Sequence, residues 1–389
     1  MTSRERVCAA LAWRSPDRVP IDLNVTRSAY GSLKHHLGLQ IDDDPAPNAA
    51  MEVIPHPDVL ARLGIDLISV KLGGVGQRGG ELPGTIIDAW GIRRQLVRPS
   101  VGEYYEAVSH PLAGVSIAEL PDYPWPDPTS LAGTETLRRQ AERLYRDTDL
   151  ALAGRFGGPI LELAADLLGI EEWYARLALD QEFVSALLER ISTICTAHDL
   201  LGIEAAGEYL QILKVSGEDF GGQHGPLYSL GMFRQVLLPP LRRRWHAARE
   251  KLSQVNPAAK IMLHSCGAIR PFIPELLATG AVDVLDPVQP LAEGMDPRGL
   301  YADFGGRLIF HGGIDVQQLL PYDTPEAVAR ETRRCLEGFH AERGGFILAP
   351  SHTIQADVPP RNVMAMIEAA RGWDGPERAD QGASPGATR

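Results

Sequence analysis

Eight short apolar runs, many of them rich in β-branched residues, recur along this chain of 389 residues, and long amphipathic segments separate several of them. Alternating strand and helix patterns favour a parallel sheet, because parallel neighbours need a crossover connection, usually a helix. Eight units predict a (β/α)8 TIM barrel rather than an open doubly wound sheet, which usually has fewer strands. The predicted strands are residues 19–23, 66–70, 150–153, 210–215, 260–264, 282–285, 308–311 and 346–349.

Two regions interrupt this pattern. Residues 72–148 carry no clear βα unit; they contain two predicted strands, 85–91 and 104–108, and a proline-rich run at 121–128. We expect this stretch, inserted after the second strand, to be a lid over one end of the barrel. A glycine-rich turn at 73–76 lacks the G-x-G-x-x-G spacing and is interpreted as a loop. The barrel is expected over residues 1–371 and a disordered tail over 372–389.

Composition excludes several classes of protein. With 44% hydrophobic and 23% charged residues the chain is typical of a globular protein, and no apolar run approaches the roughly 20 residues that span a bilayer. The amino terminus shows no signal-like pattern, so we expect a cytoplasmic protein. The net charge of -12 offers no basic patch, which argues against nucleic acid as a partner. Cys8, Cys195, Cys266 and Cys335 show no paired spacing and are expected to be reduced.

Polar residues follow nearly every predicted strand. In a barrel these positions meet at the rim where barrel enzymes place their chemistry. Strand ends commonly carry polar turn residues, so a single one is better explained as a cap or turn former. Histidine or cysteine at three of the ends is the stronger signal. The rim residues are Asn24, Arg27, Lys71, Arg155, Ser216, Glu218, Asp219, Gln223, His224, His264, Cys266, Asp286, Gln289, His311, Asp315, Ser351 and His352.

His264 and Cys266 lie two residues apart at the end of the fifth run. In an extended segment positions i and i+2 point to the same side, so both side chains could reach one ion. Zinc is the default metal for mixed nitrogen and sulfur ligands. The alternative is a hydrogen-bonded histidine beside a packed thiol, since a buried cysteine often acts as a small apolar residue.

The chain resembles the uroporphyrinogen decarboxylase superfamily of (β/α)8 barrels. The resemblance covers nearly the whole length, and it implies the same fold. The segments that carry it are Thr2-Ser3-Arg4-Glu5-Arg6, Pro16-Asp17-Arg18-Val19-Pro20, Gly217-Glu218-Asp219-Phe220-Gly221-Gly222-Gln223, His264-Ser265-Cys266-Gly267, Asp286-Pro287-Val288-Gln289-Pro290, Gly312-Gly313-Ile314-Asp315 and residues 349–360.

One branch of this superfamily transfers methyl groups to or from a corrinoid carried by a partner protein. Its members resemble this chain in the His-x-Cys after the fifth strand, and their third zinc ligand, usually cysteine, follows the eighth; here His352 stands at that position. The resemblance implies zinc held by His264, Cys266 and His352. It also implies transfer of a methyl group between a methoxylated aromatic or a thiol and the corrinoid.

Further roles are expected for other residues of the rim. Glu218 or Asp219 is expected to supply a fourth ligand or to orient a histidine. Catalytic roles are assigned to Glu218, Asp219 and His352. Contacts with the substrate are expected from Arg27, Lys71, Arg155, Gln223, Asp286, Gln289 and His311.

The other branch contains decarboxylases that act on a porphyrinogen without metal. This chain lacks their arginine-rich motif after the first strand, and Lys71 or a neighbour stands near their expected aspartate, although His352 matches a functional histidine. Arg18, Arg27, Arg93 and Arg94 are interpreted as surface charges, with Arg27 and Arg155 kept as alternative contacts for an acidic substrate. A decarboxylase of a polycarboxylate is the second hypothesis. A catalytically silent barrel that binds a tetrapyrrole or small ligand is the third. The sequence does not indicate the oligomeric state.

Overall fold

The computed structural model describes residues 1–43, 51–72, 78–79, 83–99, 102–127, 129, 133–215 and 217–375. Ser216, the predicted loop at 73–76 and the predicted tail beyond residue 375 lie outside these residues. The strands are β1 (Val25–Thr26), β2 (Glu52–Val53), β3 (Leu67–Lys71), β4 (Arg78–Gly79), β5 (Thr85–Ile87), β6 (Arg93–Val97), β7 (Tyr104–Ala107), β8 (Ala151–Arg155), β9 (Ile212–Val215), β10 (Lys260–His264), β11 (Val284–Val288), β12 (Ile309–Ile314) and β13 (Phe346–Pro350).

Helices lie between most of the barrel strands. Two long helical regions are interrupted: residues 170–206 break at Asp180, whose side chain accepts from the Phe183 N–H, and residues 230–255 contain a π-helical turn at Phe233–Leu237. In the part of the chain that the structure describes, no helix combines enough length and apolar character to span a bilayer. The helices are α1 (Ser3–Leu11), α2 (Arg27–His36), α3 (Pro57–Leu63), α4 (Thr134–Asp147), α5 (Leu161–Leu168), α6 (Ile170–Leu179), α7 (Gln181–Ala206), α8 (Leu230–Met232), α9 (Leu238–Val255), α10 (Ile273–Thr279), α11 (Pro297–Phe304), α12 (Leu319–Tyr322), α13 (Pro325–Gly338) and α14 (Pro360–Arg371).

The barrel is confirmed, with seven regular strands and one irregular segment. The parallel sheet has the order β13-β12-β11-β10-β9-β8-β3. The predicted first strand, residues 19–23, closes the gap between β13 and β3: the Asp22 N–H donates to the Leu348 carbonyl, and the Asp66 N–H donates to the Ile21 carbonyl, both at 2.8 Å. It forms an isolated bridge rather than a strand, and Pro20 within it has no N–H to extend a ladder. We call residues 19–23 the closing segment.

The barrel interior has an apolar lower layer and a polar upper layer. Inward residues of seven strands pack with Val7 and Leu11 of α1, which plugs the amino-terminal end; they are Leu67, Ala151, Ala153, Ile212, Met262, Val284, Ile309 and Ile347. Because successive inward positions are two residues apart, the next inward side chains lie nearer the carboxyl ends of the strands. In five strands these are charged groups or imidazoles: Arg155, Lys214, His264, Asp286 and His311. In β3 the next residue is Ser69, and Lys71 follows it at the end of the strand.

The insertion after β3 forms a small antiparallel sheet, in the order β4-β5-β6-β7. Strand β6 was not predicted, because Arg93, Arg94 and Gln95 within it do not resemble a buried strand. The prediction that Arg94 is a surface charge was wrong: its guanidinium pairs with Asp88 at 3.0 Å and with Asp166 at 2.7 Å, and it lines the cavity described below. Arg18 is likewise paired, with Asp66 at 2.7 Å.

Candidate metal centre and cavity

A cavity of about 420 Å³ opens at the carboxyl ends of the barrel strands. Its volume lies in the range of small-molecule sites. Among the described lining residues, carboxylates outnumber cationic side chains by five to three. The carboxylates are Glu52, Glu162, Asp166, Asp219 and Asp286, and the cations are Arg94, Arg155 and Lys214; His264 and His352 also line the wall.

Three predicted metal ligands converge beside this cavity, and two of them, His264 and His352, line it. One ligand atom from each of His264, Cys266 and His352 lies within 4.8 Å of the other two. The Nε2 atom of His264 is 3.5 Å from the Cys266 Sγ atom, and the two imidazole rings are 6.2 Å apart. Zinc bonds to nitrogen and sulfur measure about 2.0–2.3 Å, so small side-chain rotations would bring the three atoms onto one ion.

The backbone around Cys266 is fixed by the loop that follows β9. The Cys266 N–H donates to the Asp219 carboxylate at 2.8 Å, and the Ala268 N–H donates to the Gly222 carbonyl at 2.8 Å. Gly267 adopts φ 81°, and a Cβ atom there would lie 2.1 Å from the Gly221 carbonyl oxygen. Only glycine allows the two loops to approach this closely, which holds the thiol beside His264.

Asp286 fixes the orientation of the His264 ring through a hydrogen bond to its Nδ1 atom. Its Oδ2 atom is 2.7 Å from the Nδ1 atom of His264 and 2.5 Å from the Lys214 Nζ atom, and its Oδ1 atom is 2.6 Å from the Nδ1 atom of His311. Although burial alone would raise it, the pKa of Asp286 is held well below its usual range by Lys214, His311 and His264. An ionised Asp286 accepts the Nδ1 proton of His264 and leaves Nε2 as the ligand atom.

The electrostatics around Cys266 favour a cation. Burial, and then the negative charges of Asp219, Asp286 and Glu162, raise the pKa of the Cys266 thiol. Desolvation and the nearby His264 lower the pKa of His352, which favours the neutral imidazole, the form that binds metal. Burial, with the charges of Asp219 and Asp166, raises the pKa of Glu162 to about 8. Glu162 has no hydrogen-bond or ion-pair partner among the described residues.

Arg155 and Lys71 share one buried carboxylate. The Arg155 guanidinium is 2.8 Å from Glu52, and the Lys71 ammonium is 3.3 Å from the same oxygen. Although burial would raise it, the pKa of Glu52 is lowered to about 2 by Arg155, Lys71 and Lys214. Arg155 lines the cavity, whereas Lys71 lines a different groove.

Several predicted site residues lie away from the cavity. Glu218 is buried and accepts from the N–H groups of Ile160 and Leu161 at the start of α5, with Arg244 at 3.7 Å. Burial raises the pKa of Glu218 to about 8 against these partners. Its contacts are those of a side chain that caps the start of α5, a helix that precedes Glu218 in the chain.

The remaining four are positioned around the rim or behind it. Gln289 accepts from the Gly267 N–H at 2.6 Å, and Gln223 bonds Gln317. His311 is buried behind Asp286, and Arg27 begins α2. Among the described residues, none of these four lines the cavity.

Sequence reasoning missed Asp22, Glu52, Arg94, Glu162, Asp166 and Lys214. Lys214 offered a signal, because a lysine inside the run Ile212-Leu213-Lys214-Val215 must lie buried with a counter-charge. Glu162 and Asp166 are four residues apart, which places both on one face of α5. Glu52 and Arg94 carried no such signal, since both come from short strands outside the barrel sheet, β2 and β6, whose positions depend on tertiary packing.

The fold and cavity define a barrel protein with a polar site at the carboxyl rim. The model of the family "Uroporphyrinogen decarboxylase (URO-D)" matches residues 108–373, and the chain belongs to this family. This confirms the superfamily predicted from the sequence.

Known proteins with similar sequences are distant. The chain is 26% identical over 201 residues to a uroporphyrinogen decarboxylase of Pelodictyon phaeoclathratiforme, covering 50% of this chain and 51% of the relative. It is 27% identical over 185 residues to the uroporphyrinogen decarboxylase of Danio rerio, covering 47% and 45%. The matches therefore span about half the length of these relatives.

A solved structure agrees with the fold over nearly its whole length. It is described as a methyltransferase from Methanosarcina mazei, with a TM-score of 0.62 and 18% identity, and the match covers 95% of this chain and 98% of that one. At this identity the likeness shows the fold alone.

Proposed function

We propose that this protein is a zinc-dependent methyltransferase that moves a methyl group between a small substrate, a methoxylated aromatic or a thiol, and a corrinoid carried by a partner protein. The observation that carries the proposal is the convergence of His264, Cys266 and His352 within 4.8 Å. The methyltransferase from Methanosarcina mazei, which shares the fold, is consistent with it.

The donor set and its surroundings fit a divalent zinc ion. Two imidazoles and one thiol are ordinary zinc ligands and leave a coordination position for substrate. The excess of carboxylates around the cavity would be offset by a divalent cation. His264, Cys266 and His352 would hold the ion. When bound, it would supply Lewis acidity, taking up negative charge on the substrate oxygen or sulfur that loses or gains the methyl group.

The residues of the chain supply orientation and proton transfer. Asp286 keeps the Nε2 atom of His264 directed at the cluster, and Asp219 fixes the backbone of Cys266. Glu162, which has its pKa raised to about 8, can donate a proton to a departing oxygen or accept one from a thiol at neutral pH.

The same cavity is less suited to a polycarboxylate, the substrate of the decarboxylase hypothesis. Lys214, Arg155 and Arg94 are the cations that could bind carboxylates, and each is already paired, with Asp286, Glu52 and Asp166 respectively. A multiply charged anion would have to displace these partners inside a wall with an excess of negative charge. The charge balance therefore favours the methyl-transfer proposal.

Metal analysis of the purified protein tests the proposal. We expect one zinc per chain in the wild type and a substoichiometric amount in Cys266→Ser and His352→Ala. With free cob(I)alamin in place of the partner's corrinoid and a methoxylated benzoate as donor, formation of methylcobalamin should be detectable by absorbance. This activity should fall by more than about 100-fold in Cys266→Ser, because losing a ligand should cost more than the roughly 10–100-fold of losing an outer-shell partner.

Cys8→Ser is the matched control, because Cys8 lies in α1 at the opposite end of the barrel. It should retain both zinc and activity. Wild-type protein without zinc, or a zinc content unaffected by Cys266→Ser, would remove the proposal. Loss of carboxyl groups from uroporphyrinogen on incubation would support the decarboxylase instead.

A further inference from the structure

A chain of hydrogen bonds runs from the closing segment of the barrel to the metal centre. The Asp22 Oδ2 atom is 3.0 Å from the Nε2 atom of His311, and the His311 Nδ1 atom is 2.6 Å from the Asp286 Oδ1 atom. The Asp286 Oδ2 atom is in turn 2.7 Å from the Nδ1 atom of His264. Four separate segments, the closing segment, β12, β11 and β10, each contribute one member of this relay.

His311 is the central member of the relay and makes no contact with the cavity. Its side chain is 1% exposed, and both ring nitrogens face carboxylate oxygens. A carboxylate can only accept, so each nitrogen must carry a proton and the ring must be an imidazolium. Although burial alone would lower it, the charges of Asp286 and Asp22 raise the pKa of His311 to about 9, in agreement with this geometry.

The two oxygens of Asp286 are held unequally. Oδ2 has two partners, Lys214 and His264, whereas His311 is the partner of Oδ1 among the described residues. Without His311, Oδ1 would be buried with no donor, and the carboxylate could rotate about its Cβ–Cγ bond to regain one. Such a rotation would take Oδ2 out of line with the Nδ1–H of His264.

We propose that His311 is a positioning residue: it locks the Asp286 carboxylate so that His264 keeps its proton on Nδ1 and presents Nε2 to the metal centre. This role differs from the contact with substrate that the sequence suggested for His311. Where it concerns metal affinity, the proposal rests on the proposed function; where it concerns the tautomer of His264, it does not.

The experiment compares His311→Phe with His198→Phe. Both residues are buried histidines, and His198, in α7, has an Nε2 atom without a hydrogen-bond partner in the described residues and takes no part in the relay. The first readout is the ¹⁵N spectrum of the histidine rings in metal-free protein. The second is the dissociation constant for zinc alone, measured by competition with a chelator.

We expect His264 to be the Nδ1–H tautomer in the wild type and in His198→Phe, and a mixture of tautomers in His311→Phe. Zinc binding should weaken about tenfold in His311→Phe, the lower end of the effect of losing an outer-shell partner, and stay unchanged in His198→Phe. His311→Asn, which retains one donor towards Asp286, should lie between the two. A merely structural role would lower stability without changing the tautomer.

The outcomes separate this inference from the proposed function. An unchanged tautomer and unchanged zinc affinity in folded His311→Phe would overturn the inference while leaving the methyltransferase proposal intact. Wild-type protein that binds no zinc, but whose His264 tautomer depends on His311, would overturn the proposed function and retain the positioning role.

If His311→Phe does not fold, Asp22→Asn is the second variant. Asp22 is 20% exposed, so the substitution is milder, and it removes the charge that holds the His311 Nε2–H. Its zinc affinity should fall by about twofold to fivefold, less than for an outer-shell partner that touches the ligand itself. Unchanged affinity together with an unchanged His311 ¹⁵N spectrum would overturn the inference.

Discussion

The two ends of the barrel each bury one carboxylate among cations. At the amino-terminal end Asp66 is fully buried and accepts from Arg6 at 2.6 Å and from Arg18 at 2.7 Å. At the carboxyl end Asp286 is 2% exposed and accepts from Lys214 at 2.5 Å and from His311 at 2.6 Å. Both sites pair a buried carboxylate with cationic side chains. They differ in whether a partner of the carboxylate also faces the cavity.

Every partner of Asp66 is committed to structure. Arg6 belongs to α1, Arg18 precedes the closing segment, and the Ile21 N–H completes the site at 2.9 Å, so one carboxylate ties three segments together. The partners of Asp286 include His264, whose second nitrogen faces the cavity. The buried carboxylate therefore stabilises the fold at the amino-terminal end and orients a metal ligand at the carboxyl end. This agrees with the general rule that barrels place stability at the first face and chemistry at the second.

The largest expected effect belongs to Asp66→Asn. Removing the charge leaves two guanidiniums that cannot lose their protons, in a region with little access to water. We expect the free energy of unfolding, measured by denaturant titration, to fall by about 3–5 kcal/mol, as for other broken buried pairs. Zinc stoichiometry should not change, because the site lies at the opposite end from His264.

Asp17→Asn is the control for that variant. Asp17 also pairs with Arg6, at 2.6 Å, but its side chain is 41% exposed. Exposed pairs contribute about 0–1 kcal/mol, so the loss should be small. Equal losses in the two variants, or a loss of zinc in Asp66→Asn, would contradict the division of roles.

The next effect is a pH dependence that only the carboxyl end should show. The folded-state pKa of His311 is raised from 6.5 to about 9, so its contribution to stability is fully present below pH 6.5 and is lost as the pH rises towards 9. For the metal-free wild type this component is about 3 kcal/mol. The arginines around Asp66 do not titrate in this range.

Comparison of variants isolates this component from other titrating groups. Glu162 and Glu218, each with its pKa raised to about 8, also reduce stability as the pH rises from 4.5 to 8. The difference in slope between wild type and His311→Phe from pH 6.5 to 9 therefore measures His311 alone. The slope should persist in Asp66→Asn; equal slopes in wild type and His311→Phe would refute the assignment of an imidazolium.

Much of the fold could be predicted from the alternation of strand and helix patterns alone. Seven of the eight predicted runs are strands, because a parallel strand buried on both faces appears in sequence as a short apolar stretch. The same period-two logic predicts the upper layer: an inward apolar residue such as Met262 or Val284 is followed two positions later by His264 or Asp286. The insertion could not be resolved, since the register of β6 depends on pairing with its neighbours.

The candidate site was predicted only where residues follow a strand directly. His264, Cys266 and His352 come together because the carboxyl ends of β10 and β13 share a rim. The sequence cannot show which oxygen a buried histidine faces, so His311 was assigned to the substrate although it lies behind Asp286. It also cannot distinguish Glu218 from Asp219: adjacent residues point in different directions, one into the start of α5 and one into the cavity.

Asp286→Asn should reduce stability less than Asp66→Asn does, and it should also weaken zinc binding strongly. His311 can lose a proton when its partner becomes neutral, which the arginines at Asp66 cannot do, so we expect a loss of only about 2 kcal/mol, below the usual range for a broken buried pair. Zinc affinity should fall about 10-fold to 100-fold, because the orientation of His264 is lost.

Asp283→Asn is the control on the same segment as Asp286. Asp283 accepts from the Ile261 N–H at 2.7 Å and from Arg249, on the side of the sheet away from the cavity. It should lose stability with no change in zinc affinity. If Asp286→Asn destabilised the chain as much as Asp66→Asn and left zinc affinity unchanged, the carboxyl-end carboxylate would be structural as well, and the contrast between the two ends would disappear.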